Sequence, residues 1–287
     1  MKKLLLSLTA AATLFVSNVY ALDNKTEQKS AQAVQNAENK AQIGVVKEAV
    51  KALEYTNYAL INLQKNDVAK AKIYIKKAIG ELTDVLTRPN APYLLPVDVN
   101  VKAYQFQGNE KDIKDLLNKT KNLLEDNKVV EAREILNVLR SEIEVDTLNL
   151  PLATYPSNLK LALKYINENK VVEATDILKM ALTTLVETKT IIPIPLVKAE
   201  YLLREAKKIV KDNKKQALKY IDEAKHQLKI AELLGYTSKS NSTYKSLKDE
   251  ITNLEDKIND NEDVKSIFEK LIKKLEDFKE KAITTTK

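Results

Sequence analysis

Few side chains in this sequence could carry covalent chemistry, and their spacing narrows the choice further. His226 is the single histidine of 287 residues, and cysteine is absent. One imidazole cannot build a multi-histidine metal centre, and without thiols there are no disulfides, thiolate zinc sites or cysteine nucleophiles. Asp222 precedes His226 by four residues, which on a helix puts carboxylate and imidazole on one face. That pair is the candidate for a response to pH. Carboxylates remain for acid–base work. Glu131 and Glu173 occupy equivalent places in two repeated segments. A carboxylate-based hydrolase needs two such groups facing one cavity at a set separation, whereas repeat-equivalent residues lie a whole unit apart. Negative charge at the start of a helix accounts for both. No glycine-rich phosphate loop, dinucleotide fingerprint, calcium loop or HExxH helix occurs, so no catalytic residue, metal site or cofactor is expected.

Positioning must therefore come from helices, and composition agrees. Charged residues make up 30% of the chain, and only 4 Gly and 7 Pro punctuate it. The formal net charge is +7, but only Arg88, Arg133, Arg140 and Arg204 are arginines among the 47 basic residues. Arginine is the usual bidentate reader of guanine and phosphate, so specific nucleic-acid binding is not expected. The lysines Lys207, Lys208, Lys211, Lys214 and Lys215 read as a solvated helix face.

Residues 1–21 have the pattern of a cleaved secretory signal peptide. Lys2 and Lys3 precede an apolar run from Leu4 to Val16, and Val19-Tyr20-Ala21 supplies the cut. The run is shorter than the ~20 residues that span a bilayer. A periplasmic location and a mature chain without a transmembrane segment are the expectations. Residues 22–42 read as a flexible or frayed polar arm.

From Ile43 onward apolar residues recur at helical spacing. Polar punctuation at Gln64-Lys65-Asn66-Asp67 divides one run into an antiparallel hairpin. The same device returns as Asn127-Lys128-Val129-Val130-Glu131-Ala132 and, 42 residues later, as Asn169-Lys170-Val171-Val172-Glu173-Ala174. A looser copy runs through Asp212-Asn213-Lys214 to Ala217. The Asn-Lys step is the turn, and the small Ala lets two helices approach closely.

Apolar, proline-bearing segments separate the hairpins, and Pro biases them toward extended backbone. Short strands are expected at Leu94–Val101, Glu144–Leu148 and Thr190–Ile194, where Val, Ile and Thr accumulate. The fold class is all-α or nearly so, with repeated antiparallel hairpins joined by these segments. Tyr93, Leu94, Leu95, Tyr104, Phe106, Leu150, Tyr155, Ile191, Ile192 and Ile194 concentrate in or beside the segments. They either fill the space between hairpins or form an apolar binding surface for unfolded chains or another subunit.

After Gly235 the linker 237–243 is polar. Leu247, Ile251, Leu254 and Ile258, then Val264, Phe268, Leu271, Leu275 and Phe278, mark two further amphipathic helices at 244–287. They read as a folded-back hairpin or a coiled-coil appendage.

The order of these parts resembles the YfdX family. Residues 43–236 carry the likeness, through the hairpin Leu63 to Leu86 with Asp67-Val68-Ala69-Lys70-Ala71-Lys72. The later segment Ile194-Pro195-Leu196-Val197-Lys198-Ala199, continuing to Ala231-Glu232-Leu233-Leu234-Gly235, adds to it. The resemblance implies an exported, mostly helical, oligomer-forming bacterial protein associated with stress, with chaperone-like behaviour. It transfers no catalytic residue. A non-enzymatic periplasmic protein that binds unfolded or envelope proteins and forms homo-oligomers is the reading that follows. A cell-envelope scaffold, a small-ligand-binding protein and a carboxylate hydrolase are the alternatives.

Overall fold

In the computed structural model, which describes residues 21–280 and 284–286, the chain is predominantly helical with one small sheet. The expected leader lies outside the described residues except for Ala21. The polar stretch that follows forms α1 (Ala21–Gly44). Five hairpins come next: α2 (Lys47–Gln64) with α3 (Val68–Leu86), and α4 (Glu110–Glu125) with α5 (Val129–Val138). Then come α6 (Tyr155–Asn167) with α7 (Val171–Thr183), α8 (Ile194–Ile209) with α9 (Lys214–Leu233), and α10 (Ser242–Asn259) with α11 (Lys265–Glu280).

The turns are made by one piece of backbone chemistry. Asn66, Asn127, Asn169 and Asn261 sit at φ of 57°, 58°, 58° and 58°. Asparagine tolerates this left-handed region better than other non-glycine residues because its short amide can bond locally. Each closes its helix with a pair of returning hydrogen bonds. For Asn169 these are Asn169 N–H to the Ile166 carbonyl and Lys170 N–H to the Tyr165 carbonyl, at 3.1 and 2.9 Å. Gly235, at φ 83°, does the same for α9. In the first three hairpins the residue after the asparagine is already the N-cap of the next helix, so the turn needs no further length. The α8–α9 turn differs: Asn213 has φ −144°, and its side chain instead accepts from Gln216 N–H at 3.0 Å. Three residues into every second helix of the four sequence repeats stands Ala71, Ala132, Ala174 or Ala217, each at most 1% exposed. A larger side chain at these points would hold the two helices apart.

The three connecting segments form β1 (Leu94–Tyr104), β2 (Glu142–Pro151) and β3 (Val186–Pro193). These strands are longer than the expected pieces. A three-residue β4 (Thr284–Thr286) follows, and the sheet order is β1-β2-β3-β4. β1 and β2 run antiparallel, as do β2 and β3: Leu152 N–H meets the Tyr93 carbonyl, and Ile194 N–H meets the Ser141 carbonyl. The buried Asn149 side chain cross-links β2 to β3 by donating to the Val186 carbonyl and to Thr188 Oγ1.

The chain divides into two compact units. Among the described residues, one comprises 21–37, 101–144 and 190–280, and the other 38–100, 145–189 and 284–286. In the second of these, α2, α3, α6 and α7 close a ring in which α3 meets α6 and α2 meets α7. Ile75, Leu82, Leu95, Leu150, Leu159 and Leu178 fill its core. In the first, α8, α9, α10 and α11 close a similar ring in which α8 meets α11 and α9 meets α10. Leu196, Leu228, Tyr244, Leu254 and Phe268 are buried there in one core. The two C-terminal helices thus share the hydrophobic interior of α8–α9 instead of standing apart from it. Burying each of these side chains contributes roughly 1.5–3 kcal/mol.

Candidate functional site

The expected apolar surface is distributed by the strands, because alternate strand residues face opposite ways. Tyr93 stands in solvent, 87% exposed. Leu95 and Tyr155 are buried in the core of the α2–α3–α6–α7 unit, and Ile194 is buried at the start of α8. These three serve packing and offer no surface. Leu150 is likewise buried. Leu94, Tyr104, Phe106, Ile191 and Ile192 are half-buried. The Tyr155 hydroxyl is enclosed near Thr56, whose own hydroxyl donates to the Ala52 carbonyl, and it makes no hydrogen bond of normal geometry. Burial pushes this phenol up to about 12.

The connection after α5 holds the densest polar grouping. Arg140 donates to Glu142 Oε1 at 2.7 Å and to Glu144 Oε2 at 2.5 Å, and both carboxylates are buried. Its guanidinium lies over the Tyr104 ring, 3.6 Å from the centroid. Lys102 Nζ reaches Glu144 at 3.7 Å. Ser141, between them, ties three segments together. Its N–H donates to the Tyr236 hydroxyl at 2.8 Å, its Oγ accepts from Phe106 N–H at 3.0 Å, and its carbonyl accepts from Ile194 N–H at 2.9 Å. Burial, reinforced by neighbouring Glu142, pushes the Tyr236 phenol well above its ordinary value. Two carboxylates on one strand, two residues apart, could in principle share a proton. Here both are committed to Arg140, so the grouping joins the start of β2 to the end of β1 and leaves neither of these carboxylates free. Sequence reading missed it, although Arg140-Ser141-Glu142-Ile143-Glu144 places its charged residues at the strand period of two.

His226 is brought to a different acid from the one expected. Its Nδ1 lies 3.9 Å from Glu110 Oε2 at the start of α4, whereas Asp222 is exposed. Glu110 is held below the usual carboxylate range by Lys114, with His226 adding to the effect. Glu131 and Glu173 are both exposed at the first turns of their helices, as the electrostatics of a helix start favour. Among the described residues, no group of three or more His, Asp or Glu side chains is placed to hold a metal ion. No helix among them is long and apolar enough to cross a membrane.

What the surface does present is apolar and aromatic. On the outer edge of α2–α3, Tyr58 packs against Tyr74 with ring centroids 5.3 Å apart, and Tyr55 lies 6.1 Å from Tyr74. Lys77 Nζ sits 5.6 Å from the Tyr55 and Tyr74 rings. Tyr58 and Ile61, one turn apart on α2, are both exposed.

Comparison with known proteins points to a family and to solved structures. The family model described as YfdX protein matches residues 52–191. A solved crystal structure of Salmonella Typhi YfdX is similar at 17% identity, covering 52% of this chain and 93% of that one. The TM-score of that match is 0.37. No curated protein matches the chain.

Proposed function

We propose, from the match of the YfdX family model to residues 52–191, that this chain belongs to that family and is an exported stress protein that works by binding other polypeptides, in the manner of a chaperone. Membership of this family and a chain without cysteine accord with a protein that is not an enzyme. The observation that carries the binding reading is the apolar side chains held in solvent on a rigid hairpin. Tyr58 and Ile61 stand beside the Tyr55–Tyr74 pair, and Tyr93 is exposed in the same unit. Aromatic side chains lose little entropy on binding and offer large contact area, which suits a surface meeting unfolded chains of varied sequence. Export is supported by Lys2, Lys3 and the apolar run that follows them.

The test is heat aggregation of a model client, followed by light scattering with the mature protein at increasing molar ratio. Suppression by the wild type, reduced at least about twofold by Tyr58→Ser with Ile61→Ser at unchanged helicity, is the expected result. A wild type that leaves the client's aggregation unaltered overturns the binding reading.

A further inference from the structure

Three hairpins share the left-handed asparagine turn, and one of them differs sharply from the others in charge. In register on Asn66, Asn127 and Asn169, residues 55–80 correspond to 116–141 and to 158–183. The first stretch holds five lysines and a single acid, Asp67, for a net charge of +4. The second holds five basic and four acidic residues and the third four and three, so each nets +1. The excess is set at particular places. Lys65 stands before the turn asparagine where the other two hairpins have Asp126 and Glu168. Lys70 is the third residue of α3, where α5 and α7 have Glu131 and Glu173. Ile73 lies one turn further on, where they have Glu134 and Asp176. Lysine suits the end of α2, but at the start of α3 it opposes the helix dipole, which favours acid there. The first turn of α3 has no acidic residue, and Lys70 is answered by the N-cap Asp67 at 2.7 Å. A local preference met in two copies and forgone in the third is what a surface kept for binding shows.

These substituted positions lie on one outward face of α2–α3. Lys70, Ile73 and Lys77 succeed one another at one-turn intervals on α3, with Tyr74 beside them. Tyr74 packs on Tyr58 of α2, Ile61 is one turn beyond Tyr58, and Lys65 one turn beyond Ile61. Tyr58, Ile61 and Ile73 are 47%, 43% and 53% exposed, and Lys65, Lys70, Lys76 and Lys77 are exposed around them. Lys77 Nζ stands over the Tyr55 and Tyr74 rings. Among the described residues, no carboxylate forms an ion pair with Lys65, Lys76 or Lys77. The acids nearest in sequence, Glu54 and Glu81, bound the stretch at the end away from the turn, and Glu81 is 3.6 Å from Lys51.

We infer that this face selects acidic polypeptide segments, those that combine carboxylates with apolar side chains. The inference rests on the polypeptide-binding reading above and adds to it the class of client. Tyr58, Ile61 and Ile73 cover apolar groups of the bound segment, while the lysines around them attract its Asp and Glu and repel a basic segment. Lysine is a flexible point charge that asks no fixed geometry of its partner, whereas arginine presents a rigid fork. The stretch has lysine alone, which suits clients whose carboxylates fall at varied places. Three partly exposed apolar side chains offer too little surface to sink into the acyl boundary of a bilayer, so an anionic membrane is the poorer fit.

The experiment is fluorescence anisotropy of labelled, unstructured peptides of Phe, Leu, Ser and Glu titrated with the purified protein, beside the same peptides with Gln in place of Glu. The Glu peptides should bind at least about tenfold more tightly in low salt. The gap should close by about 0.5 M NaCl, where exposed charges are screened. Lys65→Glu/Lys70→Glu installs the charges that α6–α7 already carries at the equivalent places, so the hairpin should still form and the preference should vanish or reverse. Lys76→Gln/Lys77→Gln, at exposed positions, gives an independent reading and should narrow the gap. Glu and Gln peptides bound equally well would overturn the charge selection and leave the binding reading standing. Failure of every peptide to bind would overturn the binding reading itself, and the selection with it. A preference that survives in both variants would overturn the assignment to α2–α3. Co-sedimentation with phosphatidylglycerol vesicles, without any preference among the peptides, would assign the face to a lipid surface and overturn the inference.

Discussion

The Arg140 guanidinium lies 3.6 Å from the centre of the Tyr104 ring while its nitrogens bond Glu142 and Glu144. One planar cation thus serves an aromatic face and two buried acids, a combination that fits arginine and not lysine. The arrangement sits where α5 gives way to β2, beside the Ser141 N–H bond to Tyr236. Opposite charges hold this end of β1 against β2, so the stability of the junction depends on both signs being present.

Replacing Arg140 by leucine should therefore cost about 3 kcal/mol, since it takes from two buried carboxylates the guanidinium that both of them bond. Arg140→Lys should recover part of this, because one ammonium cannot span both acids and lie flat on the ring. Urea unfolding of the three proteins measures the ordering. Equal stability of the leucine variant and the wild type would show that the acids are relieved in some other way.

The asparagine turns make a second prediction that separates positions of similar sequence. At Asn169 the backbone is left-handed, so Asn169→Ser should cost ~1 kcal/mol while Asn169→Gly should be neutral or better. At Asn213 the side chain caps α9 from a backbone at negative φ, so Asn213→Ser should be nearly silent. Thermal or urea midpoints of the three variants check this. A serine that is tolerated at both sites would remove the backbone explanation.

The same turns explain how much of the molecule could be read in advance. Hairpins α2–α3, α4–α5, α6–α7 and α8–α9 were legible because their punctuation is local: a polar asparagine step, then a helix start with alanine at its fourth residue. The strands were legible as runs of Val, Ile and Thr around proline, though not their length, which the antiparallel pairing of β1 with β2 and β2 with β3 sets. The spacing of Leu247 to Phe278 announced α10 and α11, but their packing onto α8–α9 depends on shape between segments far apart in sequence. Leu95, Leu150, Tyr155 and Ile194 could equally have been core or surface, because an apolar side chain carries no mark of which face of a strand or helix turns inward. Arg140, Glu142 and Glu144 alternate at the strand period, but nothing in their residue types marks the two acids as buried, which the fold decides. His226 likewise meets Glu110 from across 116 residues, a distance at which helical spacing within one segment has nothing to say.

Acid should unfold the α8–α11 core through particular carboxylates. Burial alone would raise Glu232, but hydrogen bonds from Lys229 Nζ at 2.8 Å and the Tyr244 hydroxyl at 2.7 Å, with Lys239 near, bring it below its ordinary 4.5. Glu200 is likewise raised by burial and more than compensated by Lys279 and Arg204. Because both folded values are depressed, the ionised forms favour the native state. Their contribution is fully present above about 4.5 and is lost as pH falls through the lowered folded values. The melting temperature should thus hold nearly level down to about pH 5 and drop steeply by about pH 3. Glu232→Gln should start lower near neutrality and lose less on acidification, because the group that would be protonated is already neutral. Melting curves of both proteins across that range decide the matter. Parallel slopes would mean that Glu232 contributes nothing to the acid response.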